Sequence, residues 1–300
     1  MKSKPAFTIP LSEKAVGTWY AVGAFSLWGL LPLYWKALKH VPASQILGHR
    51  IFWSFVFSVL LLLLRGRLRE ARDIFSHPKN RWGCVLRSFI LGANWFFYIW
   101  GVNTGQVVET SMGYFINPLL SVLLGVVFLR ERLSAGETAA VFLAFSGVLY
   151  MTLEYGRLPW LALCLAFTFG MYGLLRKVAH VDSLVGLSGE TAFLSPFALG
   201  YLLSREFQGA GTLYAPPSVT HLLLVGAGAV TAVPLIWFAH GVRRIPLSMV
   251  GFIQYLAPTL MLILGVFAFK EPFTPTHLVS FSCIWTALAV YSLAKIRQGR

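Results

Sequence analysis

The chain uses one sequence pattern twice. Residues 36–150 align with residues 176–290 without a gap, so that each position corresponds to the position 140 residues later. The identical residues that recur at this offset include His40 and His180, Arg65 and Arg205, Pro118 and Pro258, and Glu131 and Glu271. The pattern therefore predicts two structural repeats, formed by residues 1–153 and residues 154–300.

The composition places both repeats in a lipid bilayer. Hydrophobic residues make up 57% of the chain and charged residues 12%, which excludes an ordinary soluble domain. A transmembrane helix needs about 20 mostly apolar residues, and long unbroken apolar runs favour helices over the short alternating strands of a barrel. Ten such stretches predict an all-α integral membrane protein with ten transmembrane helices. The stretches are 16–35, 43–64, 82–100, 107–129, 138–153, 158–175, 184–203, 219–238, 247–269 and 277–293.

Each repeat contains five of these stretches, and five is an odd number. The second repeat must therefore enter the membrane with the opposite orientation. Two inverted five-helix repeats are the architecture of many secondary transporters, which bind their substrate near the middle of the bilayer. Two alternatives stay open: a membrane sensor or assembly protein without transport, and an intramembrane lipid-handling enzyme.

The net charge of +14 reports the orientation of the chain. Lysine and arginine concentrate in the loops on one side of the predicted topology, above all between Arg65 and Arg81. Because cytoplasmic loops of membrane proteins carry such an excess, both termini are predicted to be cytoplasmic. The distribution gives no reason to expect nucleic acid as a partner.

The sequence offers no sign of catalysis or of a cofactor. It contains no HExxH, Walker, GxSxG or dinucleotide-binding pattern. Its three cysteines, Cys84, Cys164 and Cys283, lie far apart in separate apolar stretches and form no CxxC pair. We therefore predict neither an enzyme, nor catalytic residues, nor a bound metal or cofactor.

Two prolines at equivalent repeat positions indicate where a substrate could bind. Pro118 and Pro258 lie within the fourth and ninth stretches, where a proline cannot donate to the carbonyl four residues earlier. We predict helix kinks at both prolines and a cavity between them, although simple packing kinks remain an alternative. In the links that follow, Glu131 and Glu271 are expected to have structural or gating roles. The candidate substrate-binding residues are Trp53, Asn94, Tyr98, Tyr114, Asn117, Gln254, Tyr255 and Thr259.

Charged residues within the stretches predict ion pairs, because an unpaired charge at membrane depth is costly. Arg50 and Glu190 occupy the same repeat position with opposite charges. Depth along the helices allows Arg50 to pair with Glu109, and Arg87 with Glu190; alternatively, Arg87 and Glu109 extend to the nearest interface. Since the pKa of a histidine is near neutral, His49, like Glu109 and Glu190, is a candidate for proton coupling.

Four segments resemble the RarD group of the EamA-type drug/metabolite transporter superfamily. They are NWFFYIWGVNTGQVVETSMGYFINPLLSVLLGVVFLRERL at 94–133, ILGHRIFWS at 46–54, FGMYGLLRK at 169–177, and VPLIWFAHGVRRIPLSMVGFIQYLAPTLMLILGVF at 233–267. The resemblance implies ten helices in two EamA-like halves and a permease of the bacterial inner membrane. Related members export amino acids or small metabolites, and the group is named for chloramphenicol sensitivity. The resemblance supplies no established ligand residues.

Together, the residues and the resemblance predict a secondary carrier for a small organic molecule. Two inverted halves would rock around a central cavity, with export as the direction that the resemblance favours. The expected partners are a small-molecule substrate and the lipid bilayer; proton coupling and uncoupled facilitation are equally consistent with the sequence. Either a monomer or a weak homodimer is expected.

Overall fold

The computed structural model describes residues 12–76, 78–104, 106–212, 219–270 and 274–298. These residues form helices and connecting turns, and none of them is in a β-strand. The all-α fold is therefore confirmed for the described part of the chain. The helices are α1 (Glu13–Ala37), α2 (Ala43–Leu64), α3 (Leu68–Ser76), α4 (Pro78–Asn103), α5 (Val107–Leu129), α6 (Ala135–Tyr155), α7 (Trp160–Val178), α8 (Ser183–Phe207), α9 (Val219–Arg244), α10 (Leu247–Gln254), α11 (Leu256–Ile263) and α12 (Pro275–Gln298), with a π-helical turn at Leu264–Ala268.

Most of these helices are suited to a bilayer. Eight helical segments among the described residues are long and apolar enough to cross a membrane: α1, α2, α5, α6, α7, α9, α12, and α10 to the π-helical turn taken together. The chain is therefore a multi-pass membrane protein. The helices α4 and α8 coincide with the third and seventh predicted spans and are equally long, but they are not among the eight. For them, membrane crossing stays a prediction.

Polar capping residues determine where several helices begin and end. Ser134 and Glu137 form a capping box at the start of α6, in which each side chain bonds the backbone N–H of the other residue. Gly156 ends α6 in the left-handed conformation that glycine adopts without a steric penalty. Asp182 begins α8 by accepting from two backbone N–H groups. The loops between these long helices are consequently short.

The short helix α3 lies in the basic segment that sequence analysis treated as a loop. Arg67, just before α3, contacts Glu70 at 2.6 Å and Asp182 at the start of α8 at 3.4 Å. Burial alone would raise the pKa of Asp182. However, the Arg67 charge and two backbone N–H donors hold it below the ordinary aspartate value. This cluster joins α3 to the beginning of α8.

The long helices pack around a core that lies mainly between α1, α7 and α9. Buried aromatic residues, including Phe25, Tyr172 and Phe238, form its centre. Around this core, α2 packs on α8 and α9, α4 on α7, α5 on α7 and α10, and α6 on α12. The same core provides one wall of the cavity described below.

Two glycines allow unusually close helix crossings. A Cβ atom on Gly251 of α10 would lie 2.5 Å from the carbonyl oxygen of Pro118 in α5. A Cβ atom on Gly228 of α9 would collide with the backbone of Trp53 in α2. Because glycine has no side chain, these pairs of helices can meet at their backbones.

Candidate functional site

A central cavity of about 420 Å³ lies among α1, α4, α5, α7, α11 and α12. It is partly open and occupies the end of the bundle where α1 ends and α5 begins. A cavity of this size falls in the range that holds small organic ligands. Seven residues singled out from the sequence line it: Arg50, Asn94, Tyr98, Tyr114, Asn117, Gln254 and Pro258.

One wall of the cavity is a stripe of large side chains on α1 that sequence analysis did not identify. Phe25, Trp28, Pro32 and Trp35 follow one another at intervals of three and four residues, which places them on one helix face. Phe169 of α7 adjoins this stripe, with its ring centroid 5.5 Å from that of Trp28. Much of the lining is therefore aromatic, with surfaces on which a planar ligand could stack.

Polar groups occur at a few fixed points in this aromatic lining. Asn94 of α4 donates to the Leu165 carbonyl at 3.0 Å and to Thr168 Oγ1 at 2.9 Å, so its amide nitrogen joins α4 to α7. Gln254 Oε1 accepts from Ser121 Oγ at 3.4 Å. In contrast, Asn117 is only 6% exposed, and no residue that the structure describes donates a hydrogen bond to its Oδ1 atom. Asn117 thus keeps a free acceptor at the cavity.

Arg50 reaches the same cavity from α2. Its Nε donates to Thr231 Oγ1 of α9 at 3.1 Å. The guanidinium also lies over the rings of Trp35 and Trp95, at 4.9 Å and 5.6 Å from their centroids. Cation–π contacts of this kind orient an arginine without neutralising its charge.

The candidate residues that do not line the cavity include Trp53, His49, Tyr255 and Thr259. Trp53 Nε1 donates to His49 Nδ1 at 3.1 Å, and His49 Nε2 lies 3.0 Å from Thr212 Oγ1. Tyr255 is buried in a second core cluster, and Thr259 Oγ1 lies 3.2 Å from Trp285 Nε1. Their side chains contact other parts of the chain, and none of these four residues is among those that line the cavity.

The two repeat-related prolines have different effects. The helix around Pro258 is interrupted: α10 ends at Gln254, α11 begins at Leu256, and a π-helical turn follows. The helix around Pro118, by contrast, runs unbroken from Val107 to Leu129. The structure therefore separates the predicted ninth span into two helices, whereas the same missing N–H at Pro118 leaves α5 continuous.

The predicted pair of Arg87 and Glu190 is present at the end of the bundle away from the cavity. Arg87 Nε lies 2.6 Å from Glu190 Oε1, and Glu190 is fully buried. Glu190 Oε2 accepts from the Tyr172 hydroxyl at 3.0 Å and lies 3.4 Å from Arg176 Nη2. Arg176 was not among the candidates. Two arginines therefore share one buried carboxylate.

The other predicted ion pair, between Arg50 and Glu109, is not formed. Glu109 accepts from the Leu161 backbone N–H at 2.8 Å and from the Tyr155 hydroxyl at 2.8 Å, with Arg157 at 3.4 Å. Depth along the helix was a poor guide, because the start of α7 brings a backbone donor closer to Glu109 than Arg50 is. The prediction of this ion pair was wrong.

Below the cavity, the bundle is closed by aromatic and polar contacts. Phe169 and Phe238 pack with ring centroids 5.2 Å apart beneath Trp28. At the end of the bundle away from the cavity, Lys177 Nζ donates to the carbonyls of Val242 and Ile245, at 3.1 Å and 2.5 Å. Glu131 accepts from the first two backbone N–H groups of α10, at 2.6 Å and 2.9 Å. Glu131, for which a structural or gating role was predicted, therefore caps the N-terminus of α10, while Glu271 lies outside the described residues.

Comparison with known proteins identifies the family. The model of the EamA-like transporter family matches residues 15–153 and again residues 158–293. The Bacillus subtilis protein "Uncharacterized transporter YojE" is 44% identical, over 96% of this chain and 97% of its own. The Streptomyces exfoliatus protein "Protein RarD" is 42% identical, over 96% of this chain and 92% of its own.

A solved crystal structure shares the fold at low sequence identity. It superimposes with a TM-score of 0.72 at 20% identity, covering 94% of this chain and 99% of the other. The family match and these relatives indicate a membrane transporter rather than an enzyme. The chain belongs to the EamA-like transporter family of the drug/metabolite transporter superfamily and, within it, to the RarD group.

Proposed function

We propose that the protein carries a small organic solute across the bacterial inner membrane by alternating access around the central cavity. The observation that carries the proposal is a cavity of about 420 Å³ that is partly open and has a packed aromatic floor. A carrier needs such a site, reachable from one side while the other side is closed.

The closed side is the one that the charge distribution assigns to the cytoplasm. The ends of α7 and α9 meet there, with Arg176, Lys177, Arg243 and Arg244 in their last turns. With both termini cytoplasmic, the cavity faces outward, and the contacts of Lys177 and Glu131 close the inner side. Reaching an inward-facing state requires those contacts to separate.

Two inverted repeats, formed by residues 1–153 and 154–300, supply the moving parts of this proposal. The helix contacts are consistent with a two-fold relation: α1 packs on α9 as α7 packs on α4, and α5 packs on α7 as α11 packs on α1. The separate matches of one family model to each half support the same division. Rocking of one half against the other would alternate the open side.

The lining favours a solute with an aromatic or other flat apolar body and a few polar groups. Trp28, Trp35 and Phe169 provide the apolar surface, while Asn117 and Gln254 provide polar contacts. Chloramphenicol-like compounds and amino acids have this character, and the family resemblance favours export. A monomer contains the complete cavity, so we propose the monomer, alone or in a weak homodimer, as the transporting unit.

Flux into liposomes that contain the purified protein tests the proposal. The panel would comprise chloramphenicol, aromatic and neutral amino acids and nucleosides, with and without a pH gradient. Saturable flux of one class, lost in the Asn117→Leu/Gln254→Leu double variant, is the expected result. The matched control is Arg132→Gln, an exposed arginine outside the cavity lining.

Each outcome tests a different part of the proposal: the driving force, the binding site or transport itself. Flux that follows the pH gradient establishes proton coupling, and flux that ignores it establishes facilitation. Saturable flux that survives the double substitution contradicts the cavity as the binding site. Binding of a panel compound without any flux contradicts the carrier and favours the sensor alternative.

A further inference from the structure

Arg50, which is half-buried at the cavity, differs from the two buried arginines in the described part of the chain, Arg87 and Arg176. Arg87 and Arg176 both contact the carboxylate of Glu190, at 2.6 Å and 3.4 Å. Arg50 has one hydrogen bond, from Nε to the neutral hydroxyl of Thr231, and no carboxylate within ion-pair distance among the described residues. Its positive charge is therefore uncompensated by those residues.

The described residues around Arg50 do not supply a counter-charge either. The described residues that line the cavity include no aspartate or glutamate. The rings of Trp35 and Trp95, with centroids 4.9 Å and 5.6 Å from the guanidinium, are neutral. The nearby phenols of Tyr98 and Tyr114 are uncharged at neutral pH. Because a charge at membrane depth is costly unless it is paired or hydrated, this arginine calls for an anionic partner.

The geometry of Arg50 suits a carboxylate. Thr231 holds Nε, and two indole rings hold the guanidinium plane, so the two Nη groups make no hydrogen bond to a described residue and remain available at the cavity. A guanidinium binds a planar carboxylate through two parallel N–H···O bonds. A single arginine balances one negative charge, which fits a monocarboxylate better than a phosphate dianion.

A second, independent observation points to the same ligand space. Asn117 lines the cavity and is only 6% exposed, yet its Oδ1 atom has no hydrogen-bond partner among the described residues. A buried acceptor without a donor is unfavourable, and a donor on a bound ligand would satisfy it. The lining of the cavity therefore includes one anion-binding group, Arg50, and one acceptor without a described donor, Asn117 Oδ1.

We propose that Arg50 binds the carboxylate of the transported solute, making the substrates aromatic or apolar monocarboxylates with a hydroxyl or N–H group that donates to Asn117. This inference rests on the proposed function, since it specifies the substrate class of the same cavity. Arg50 thereby determines specificity: it favours an acid over its neutral amide and disfavours an amine of the same shape.

Calorimetric binding to the purified full-length protein tests the assignment with three probes of matched shape. Indoleacetate carries a carboxylate, indoleacetamide is its neutral counterpart, and tryptamine carries a positive charge. The acid should bind at least about tenfold more tightly than the amide, since hydrogen bonds between charged groups exceed neutral ones by that margin. Tryptamine should bind most weakly.

Substitutions of Arg50 test whether this residue causes the preference for the acid over the amide. Arg50→Gln should lower the affinity for the acid by about tenfold or more and leave the affinity for the amide unchanged. Arg50→Lys keeps the charge but not the planar fork, so its affinity for the acid should lie between the two. Arg132→Gln, which removes an exposed arginine outside the lining, should leave all three affinities unchanged.

The comparison of acid and amide on the unaltered protein does not depend on the folding of any variant. Equal binding of acid and amide, or binding of neither, overturns the assignment of Arg50. A preference for the acid that survives Arg50→Gln also overturns it. Saturable flux of the amide at the rate of the acid contradicts Arg50 but keeps the carrier, whereas acid-selective binding without flux keeps Arg50 and contradicts the carrier.

Discussion

Removal of the Glu190 charge should destabilise the protein far more than removal of either arginine that it contacts. In Glu190→Gln, Arg87 and Arg176 both lose their buried carboxylate, which lies 2.6 Å and 3.4 Å away. Breaking a buried ion pair by removing one partner typically lowers the free energy of unfolding by about 3–5 kcal/mol. The loss here should reach that range because two charges are left unpaired.

Substitution of Arg87, the partner of Glu190, should lower the free energy of unfolding by less. Arg87→Met leaves Glu190 with Arg176 and with the Tyr172 hydroxyl, so the remaining cluster is neutral. The loss is then that of one hydrogen bond between charged groups, about 1.5–3 kcal/mol. The double variant leaves one arginine unpaired instead of two, so its loss should fall short of the sum by about 0.5–3 kcal/mol.

Equilibrium unfolding by a denaturing detergent, followed by tryptophan fluorescence, measures these differences in micelles. The control is Arg132→Gln, an exposed substitution whose effect should stay within about 0.5 kcal/mol. The shared-carboxylate explanation is refuted by two results: a loss in Glu190→Gln no greater than that in Arg87→Met, or strictly additive losses in the double variant.

Three further predictions follow from other contacts. Arg50→Gln and Glu109→Gln should have additive effects on flux, because the two residues lie in separate hydrogen-bond clusters; a double variant better than the sum would contradict this. The folded pKa of Asp182 is depressed, so its stabilisation is complete above the ordinary aspartate pKa and lost as the pH falls through the lower folded value. In unfolding experiments, Asp182→Ala should cost about 1 kcal/mol at pH 7 and progressively less as the pH falls below the ordinary aspartate pKa. Gly251→Ala should lower the free energy of unfolding by about 1–3 kcal/mol, because the new Cβ atom would push α10 away from α5. The control Gly200→Ala has open space at its Cβ position and should raise the free energy of unfolding by about 0.5–1 kcal/mol. Equal melting temperatures of the two variants would refute the close crossing.

The helical fold could be predicted from the sequence because hydrophobic length is a strong signal. Each of the ten apolar stretches coincides with a helix or, at Pro258, with two. The short helix α3 was missed, since nine residues in a highly charged loop are too few to establish a period. The break at Tyr255 was expected only as a kink, and nothing in the sequence distinguished Pro258 from the equivalent Pro118.

The site could be predicted only in part, because it depends on which helix faces which. Polar residues such as Asn94 and Gln254 stood out in apolar stretches, and they line the cavity. The aromatic stripe of Trp28 and Trp35 did not stand out in the sequence, because a helix face toward lipid and a face toward an apolar cavity have the same composition. His49 and Trp53 share a helix face that turns to α8 and α9 instead.

The interruption at Tyr255 makes the two repeats mechanically unequal. The continuous helix α5 moves as one rigid element, so a displacement of one end also displaces the other end. The segment from α10 to α11 has a joint at Tyr255 and a widened turn at Leu264–Ala268, so its two ends can reorient separately. Glu131 anchors the first of these ends, whereas the second lines the cavity. Spin labels on α10 and α11 should therefore change their separation between the two access states, while a pair at equivalent positions of α5 keeps its distance.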